Sequence, residues 1–94
     1  MSLLAVSLEV RGKVQGVWYR ANAKEEADRL AFVGFVKNKL DGSVYIEACG
    51  ESIRVEQFIC WCLKGPAHAQ VTEIHVKKMD EFHSDKFEIR GGRL

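Results

Sequence analysis

Residues 4–20 read LAVSLEVRGKVQGVWYR, and this stretch decides the fold. Its first half alternates apolar residues with small or polar ones, and this period of two predicts a strand with one face on the core. Gly12 and Gly16 then interrupt the alternation. From Tyr19 onward the apolar positions are 19, 23, 27, 30 and 31, the spacing of one helix face. The stretch therefore predicts a strand, a glycine-bearing loop and a helix in that order.

A hairpin is predicted next. Residues 32–39 and 43–50 have the composition of two strands, and Asp41-Gly42 between them tolerates the positive φ that a tight hairpin turn requires. Side chains alternate across a strand, so we expect the later strand to carry two distinct faces. One face would hold Val44, Ile46 and Ala48, and the other Ser43, Tyr45 and Glu47.

A second helix and further strands complete the pattern. Apolar residues at 55, 58, 59, 62 and 63 predict an amphipathic helix that ends at Gly65-Pro66. Residues 71–77 predict a fourth strand, and Phe87 with Ile89 indicates a short last strand.

This order, β-α-β-β-α-β with a possible fifth strand, predicts an α+β fold. We expect a ferredoxin-like split β-α-β sandwich, in which two helices cover one face of an antiparallel sheet. The 94 residues form a single domain, 1–94. In such a fold, strands one and two run parallel with another strand between them. Asn38, at the end of strand two, should therefore lie at the same sheet edge as the first loop.

The first loop has the features of an anion site. Gly12 and Gly16 allow backbone N–H groups to converge, and the helix N-terminus that follows adds the positive end of its dipole. Arg20 adds planar, permanently charged donors. Taken alone, Arg20 is more commonly a solvated cation, and Asn38 a strand-end residue bonded to nearby backbone. Their joint placement at one sheet edge favours a binding site.

Three blocks of this chain resemble the acylphosphatase family. Residues 12–20, GKVQGVWYR, match the signature G-x-V-Q-G-V-x-[FY]-R at every fixed position. Residues 34–44, GFVKNKLDGSV, are similar to the family's G-[WY]-V-x-N-x-x-D-G-x-V. Residues 65–71, GPAHAQV, resemble its G-P-x-x-A-x-V stretch.

The resemblance implies hydrolysis of acyl phosphates, which are carboxyl-phosphate anhydrides, to carboxylate and inorganic phosphate. The reaction that the resemblance implies requires no metal ion and no cofactor. By that likeness Asn38 positions the attacking water, and because an amide is no general base at neutral pH it can only orient that water. By the same likeness Arg20 and the backbone N–H groups of the loop bind phosphate; these residues are Val14, Gln15, Gly16, Val17, Trp18, Tyr19 and Arg20.

Three positions call for separate expectations. Ala31 stands where the family often has a glycine, so the exit of helix one should differ slightly. Phe35 replaces the more common tryptophan or tyrosine and should serve the core as an aromatic. Trp18 is either a stacking surface for the substrate or a hydrophobic plug, and we favour the plug. The tail, residues 91–94, gives no signal that we can interpret.

Composition limits the partners and the compartment. Fourteen basic and thirteen acidic residues leave a net charge of +1, which provides no general field for nucleic acid or anionic lipid. No membrane span or signal peptide is apparent, so we expect a cytoplasmic protein. The family resemblance implies that its partners are an acyl phosphate and inorganic phosphate, and we expect a monomer.

The cysteine and histidine residues do not indicate a disulfide or a metal site. The three cysteines are an odd number, which favours reduced, buried or half-buried thiols over disulfides. The three histidines show no recurring ligand spacing, so no metal site is expected at His68, His75 or His83. We expect the charges of Lys77, Lys78, Arg90 and Arg93 to be solvated.

Two alternative functions remain open. RNA recognition domains share this fold but need stacking aromatics on the two central strands, where this chain would expose Ala5, Ser7, Glu9, Ser43, Tyr45 and Glu47. A single tyrosine among acidic residues makes a poor platform. The second alternative is a non-catalytic acyl- or carbamoyl-phosphate-binding domain of the same fold, which motif and fold alone do not exclude.

Overall fold

A computed structural model describes residues 2–80 and 82–91, and it contains the predicted elements in the predicted order. Tail residues 92–94 lie outside the described residues. The elements are β1 (Leu3–Lys13), α1 (Tyr19–Arg29), β2 (Val33–Asn38), β3 (Val44–Glu51), α2 (Ser52–Lys64), β4 (Gln70–Met79) and β5 (Phe87–Arg90).

The strands form one sheet in the order β4-β1-β3-β2-β5. β3 is antiparallel to both β1 and β2, so β1 and β2 run parallel with β3 between them, as predicted. β5 pairs with β2 in parallel, with Gly34 opposite Phe87, so the sheet is mixed where an antiparallel sheet was expected. The reason lies in the connection. β4 stops at one end of the sheet, and β5 begins at that same end and runs in the direction of β2.

The core lies between the helices and one face of the sheet. The predicted alternation holds, because Val6, Leu8 and Val10 of β1 and Val44, Ile46 and Ala48 of β3 are all buried. Against them pack Ala23 and Ala27 of α1 and Val55, Phe58 and Cys62 of α2. Burying one such large apolar side chain stabilises the fold by roughly 1.5–3 kcal/mol.

Two residues expected on buried helix faces lie in solvent. Leu63 is 51% exposed, because the buried stripe of α2 is narrower than its apolar pattern. Ala31 is exposed as well, because α1 ends at Arg29, two residues before it.

On the helix-free face of the sheet, one expectation is wrong. Phe35 is buried, but it packs there and not in the core, with its ring centroid 6.0 Å from that of Tyr45. The Arg90 side chain is 50% exposed, as expected of a solvated charge, and its guanidinium carbon lies 4.0 Å from the Phe35 ring centroid. This is cation–π geometry.

Ser43 and Ala5 were expected to be exposed on that face, and both are buried. Ser43 is only 2% exposed because its hydroxyl and its N–H both donate to Asp41 Oδ1, at 2.6 and 2.9 Å. The predicted Asp41-Gly42 turn is thus closed by a local side-chain cap.

All three cysteines are free thiols. Cys62 is buried, which raises the pKa of its thiol to about 12, and Cys49 is half-buried. Cys60 is exposed, contrary to expectation, because residues two apart on α2 lie on different faces. Within residues 2–80 and 82–91, no helix is long and apolar enough to cross a membrane.

Candidate active site

Near the end of β1, the backbone at Gly12 lies very close to the backbone of β4. The pairing of the two strands shifts register between Arg11 and Gly12, and Gly12 has a φ of 124°. A Cβ atom at Gly12 would lie 2.1 Å from the carbonyl oxygen of Gln70, which no side chain can accommodate. Glycine at this position therefore lets the first loop turn away from the sheet toward α1.

The N-terminus of α1 lacks the usual side-chain cap. Helices normally begin with a residue in the β region whose side-chain oxygen accepts from the first turn. Here the N-cap is Trp18, in the left-handed region at φ 65° and ψ 20°. No side chain of the described residues caps this end, and the first turn holds no acidic residue. Its N–H groups and positive dipole end are thus available to an anion.

A cavity of about 340 Å³ opens at this helix end. Its walls combine the first loop, the first turn of α1 and the ends of β2 and β5. Arg20 and Asn38 line the same cavity, which is the juxtaposition that the parallel course of β1 and β2 implies. The lining residues are Val14, Gly16, Trp18, Tyr19, Arg20, Ala21, Asn38 and Ile89.

The Arg20 side chain reaches the backbone at the end of β5. Its Nη1 donates to the carbonyl oxygens of Arg90, at 3.0 Å, and Gly91, at 3.3 Å. The guanidinium therefore spans from the first turn of α1 to the end of the edge strand. This places a permanent positive charge in the cavity wall.

Asn38, the last residue of β2, carries a buried acceptor. Its Oδ1 atom is buried and has no hydrogen-bond partner among the described residues. Such an atom costs roughly 1–3 kcal/mol of folding free energy, and an uncompensated cost of this kind often marks a functional group.

Gln15 and Val17 do not line the cavity, although both belong to the candidate phosphate loop. Val17 is buried in the core. The side-chain Nε2 of Gln15 donates to the carbonyl oxygens of Lys39, at 2.8 Å, and Ser43, at 2.9 Å. Gln15 thus fastens the loop to the β2–β3 turn that directly follows Asn38.

An ion pair also holds the β2–β3 turn. Lys39 Nζ lies 2.5 Å from Glu9 Oε2, and Arg11 Nη2 lies 2.8 Å from Glu9 Oε1. Hydrogen bonds from Lys39 and then from Arg11 lower the pKa of the Glu9 carboxyl below its usual value. The residue next to Asn38 is therefore bound to the loop through its backbone and to β1 through its side chain.

Tyr19 belongs to the candidate phosphate-binding loop, but its side chain has a structural role. It is almost wholly buried, and its hydroxyl donates to the carbonyl oxygen of Cys62 at 2.6 Å. Burial raises the pKa of that hydroxyl well above its usual value. The Tyr19 ring also packs 5.4 Å from the ring of half-buried Trp61, so it secures the start of α1 to α2.

Trp18 is not a hydrophobic plug, because it is 75% exposed at the cavity. Ala21 and Ile89 also line the cavity and were not recognised from the sequence. Ile89 reaches the site only because β5 ends at the same sheet edge as β2. That pairing leaves no local signal in the sequence.

His68, His75 and His83 are exposed, and His75 pairs with Glu73. Across residues 2–80 and 82–91, no group of three or more histidine, cysteine, aspartate or glutamate side chains is arranged to hold a metal ion.

Comparison with known proteins shows the family of this chain. A sequence model of the family described as Acylphosphatase matches residues 6–89. The acylphosphatase of Aeropyrum pernix is 46% identical over 91 residues, which cover 96% of this chain and 86% of that protein. That of Azoarcus sp. is 49% identical over 75 residues, covering 80% and 76%. The crystal structure of the Bacillus subtilis acylphosphatase superposes with a TM-score of 0.90 at 32% identity, covering 94% of this chain and 99% of that one.

Proposed function

This chain belongs to the acylphosphatase family and is an enzyme that hydrolyses acyl phosphates, and from that premise we propose how its residues carry out the reaction. Arg20 and the N–H groups of the first loop and of α1 bind the phosphate, and Asn38 orients the attacking water. One observation carries this proposal: Arg20, Asn38 and an uncapped helix N-terminus line the same cavity.

Binding of the substrate follows from complementary charge. The phosphoryl group carries its negative charge on oxygens that accept hydrogen bonds, and a guanidinium offers paired donors that match two of them. The N–H groups at the start of α1 can reach the remaining oxygen, and the helix dipole stabilises the charge. The bond from Gln15 to the β2–β3 turn supports this arrangement, because it fixes the loop relative to Asn38.

The chemical step is a displacement at phosphorus. The water oxygen forms a bond to phosphorus while the bond between phosphorus and the acyl oxygen breaks. The carboxylate leaves with the bonding electron pair, and the proton that the water loses passes to a phosphoryl oxygen, which gives dihydrogen phosphate. A loose transition state of this kind needs placement and charge stabilisation more than it needs a strong base. The site supplies both.

Asn38 is suited to placing the water. An amide presents one acceptor and two donor hydrogens, so it can hold a water molecule without removing its proton. The position of Asn38 supports this role, because it lines the same cavity as Arg20. The reaction on this proposal uses neither a metal ion nor a cofactor, because the guanidinium and the helix N-terminus provide the positive charge.

We also propose a cytoplasmic monomer without a nucleic-acid partner. The net charge of +1 supports the absence of a nucleic-acid partner, since it offers no basic field. The helix-free face supports it further, because Glu9 and Glu47 lie there beside Tyr45. The alternative of a non-catalytic acyl- or carbamoyl-phosphate-binding domain is not favoured, since the relatives matched over most of this chain are named as acylphosphatases.

The test is release of inorganic phosphate from benzoyl phosphate in the presence of a chelator. Arg20→Ala should lower kcat/KM by about 10³- to 10⁵-fold, the range for a transition-state arginine. Asn38→Ala should lower kcat by roughly 10²- to 10³-fold, as for loss of one preorganised polar group. Arg29→Ala, which removes an arginine from the other end of α1, is the matched control and should retain activity.

Two results would contradict the proposal. Wild-type protein that binds phosphate but does not exceed spontaneous hydrolysis would point to the binding-domain alternative. Turnover that the chelator abolishes and a divalent metal restores would show that the protein's own cationic groups are insufficient.

A further inference from the structure

The proposed reaction assigns no role to the side chain of Trp18. Trp18 is 75% exposed, lines the cavity beside Arg20 and holds a left-handed backbone at φ 65°. For a bulky residue this backbone conformation is a genuine outlier, and such strain is found mainly at functional positions. Core packing does not account for this tryptophan, because most of its surface is in water.

Ile89 adds a second exposed apolar residue to the same cavity. It comes from β5, is 42% exposed and lines the cavity together with Trp18. Among residues 2–80 and 82–91, the Trp18 ring stacks on no other aromatic ring. Two elements distant in sequence therefore place apolar, water-exposed surface next to the anion-binding groups.

The chemistry of the substrate decides what would meet this surface. In an acyl phosphate, a single bridging oxygen joins the acyl group to phosphorus. With the phosphate held at Arg20 and the start of α1, the acyl group lies within a few bonds of the phosphorus, and the other walls of the same cavity are within its reach. Apart from Asn38, those walls present Val14, Trp18 and Ile89, which are apolar.

We propose that Trp18 and Ile89 bind the acyl group, and that this enzyme acts on acyl phosphates whose acyl group is apolar and best aromatic. The inference rests on the proposed function, because it needs the phosphate end at Arg20. An aromatic acyl group would stack on the indole and shield it from water. An acyl group with a second charge would lose hydration there without gaining a partner.

The experiment compares kcat/KM for benzoyl phosphate and acetyl phosphate in wild type, Trp18→Ala and Trp18→Phe. The readout is the ratio of the two values, in which any effect on the shared phosphate site cancels. Trp18→Ala should lower the benzoyl-to-acetyl ratio roughly two- to tenfold, the range expected for one aromatic pair. Trp18→Phe should keep most of the ratio, because a ring remains.

Ile89→Ala should lower the ratio by a smaller factor. Ile53→Ala is its matched control, because Ile53 is 80% exposed on α2 and does not line the cavity. That variant should leave the ratio unchanged. A ratio that stays at the wild-type value in both Trp18→Ala and Ile89→Ala would overturn the inference.

A binding measurement separates this inference from the proposed function. Titration calorimetry with phenylphosphonate and methylphosphonate, which are not hydrolysed, should show tighter binding of the phenyl compound to wild type. Trp18→Ala should lose that preference. Equal affinities in wild type would overturn the acyl-group surface. Absence of turnover with a preserved phenyl preference would instead overturn the catalytic proposal alone.

Discussion

The two ends of α1 share an unusual backbone conformation and use it differently. Trp18 begins the helix at φ 65°, and Ala31 follows its C-cap at φ 62°. At the C-terminal end, the N–H of Phe32 donates to the carbonyl of Ala27 at 2.8 Å, and the N–H of Ala31 to that of Asp28 at 3.1 Å. This is the Schellman arrangement, which places a left-handed residue after the helix. At the N-terminal end, no described side chain provides a cap.

On our proposal, the same backbone strain serves structure at one end of α1 and function at the other. The C-terminal end satisfies its carbonyl groups with its own backbone, and Arg29 lies in the last turn, where a cation suits the dipole. It needs nothing from a ligand. The N-terminal end turns its N–H groups and Arg20 toward a cavity, and a loop fixed by distant residues holds it there. Only this end gains from an anion.

Among the changes that compare the two ends, Arg20→Lys set against Arg29→Lys should give the largest difference. Arg20→Lys keeps the charge but loses the planar donors that reach the carbonyl oxygens of Arg90 and Gly91. We expect kcat/KM for benzoyl phosphate to fall by roughly 10²-fold, because a single ammonium does not match the paired geometry. Arg29→Lys, at the other end, should leave kcat/KM unchanged.

Equal losses in these two variants would break the comparison, because they would show that charge anywhere on α1 matters. Full activity in Arg20→Lys would show that charge alone, without paired donors, is sufficient at the N-terminal end. Circular dichroism of both variants provides the control for folding.

A smaller effect is expected from replacing side chains that lie outside α1 and help to fix one of its two ends. Gln15→Ala removes two bonds from the loop to the β2–β3 turn, whereas Arg54→Ala removes one bond, at 3.2 Å, to the carbonyl of Leu30 at the C-terminal end. Each lost bond should lower the free energy of unfolding by roughly 0.5–1.5 kcal/mol. Only Gln15→Ala should also lower kcat, by roughly tenfold or more, through misplacement of the loop relative to Asn38.

Urea unfolding and steady-state kinetics on the same preparations separate these two effects. The interpretation of Gln15 as a positioning residue would be wrong if its variant lost stability while kcat and KM both stayed at wild-type values. It would equally be wrong if Arg54→Ala lowered kcat to the same extent.

The smallest expected effect is a gain in stability at the C-terminal end. Ala31→Gly removes the Cβ atom that disfavours the left-handed conformation, which costs a non-glycine residue roughly 1–2 kcal/mol. Part of that gain is lost to the greater freedom of glycine in the unfolded chain, so we expect a net stabilisation of about 0.5–1 kcal/mol. Thermal unfolding should show a higher Tm with unchanged activity. A lower Tm would contradict the assignment of Ala31 as a strained helix terminus.

Ala31 also shows how far the sequence could be interpreted. Because alanine replaced the family's frequent glycine, we expected the exit of helix one to differ. The chain leaves the helix in the left-handed conformation that glycine would favour, with Ala31 at φ 62°. The backbone hydrogen bonds of Phe32 and Ala31 and the burial of Phe32 outweigh the local preference of alanine. Local propensity is a weak guide wherever packing opposes it.

The sequence by itself determined the elements and their order, because these depend on near neighbours. Period-two alternation identified β1 and β3, helical spacing identified α1 and α2, and Asp41-Gly42 identified the hairpin. The family signature identified Arg20 and Asn38 as candidate residues without their geometry.

Tertiary structure alone decided how the site is assembled, because its contacts join residues far apart in the chain. Arg20 is directed by a carbonyl 70 residues away, and Gln15 binds carbonyls 24 and 28 residues away. The parallel pairing of β5 brought Ile89 to the cavity, and the left-handed start of α1 left Trp18 in solvent. Periodicity describes only which face of an element a residue occupies. What that face meets depends on how the elements pack, and packing is a property of the whole chain.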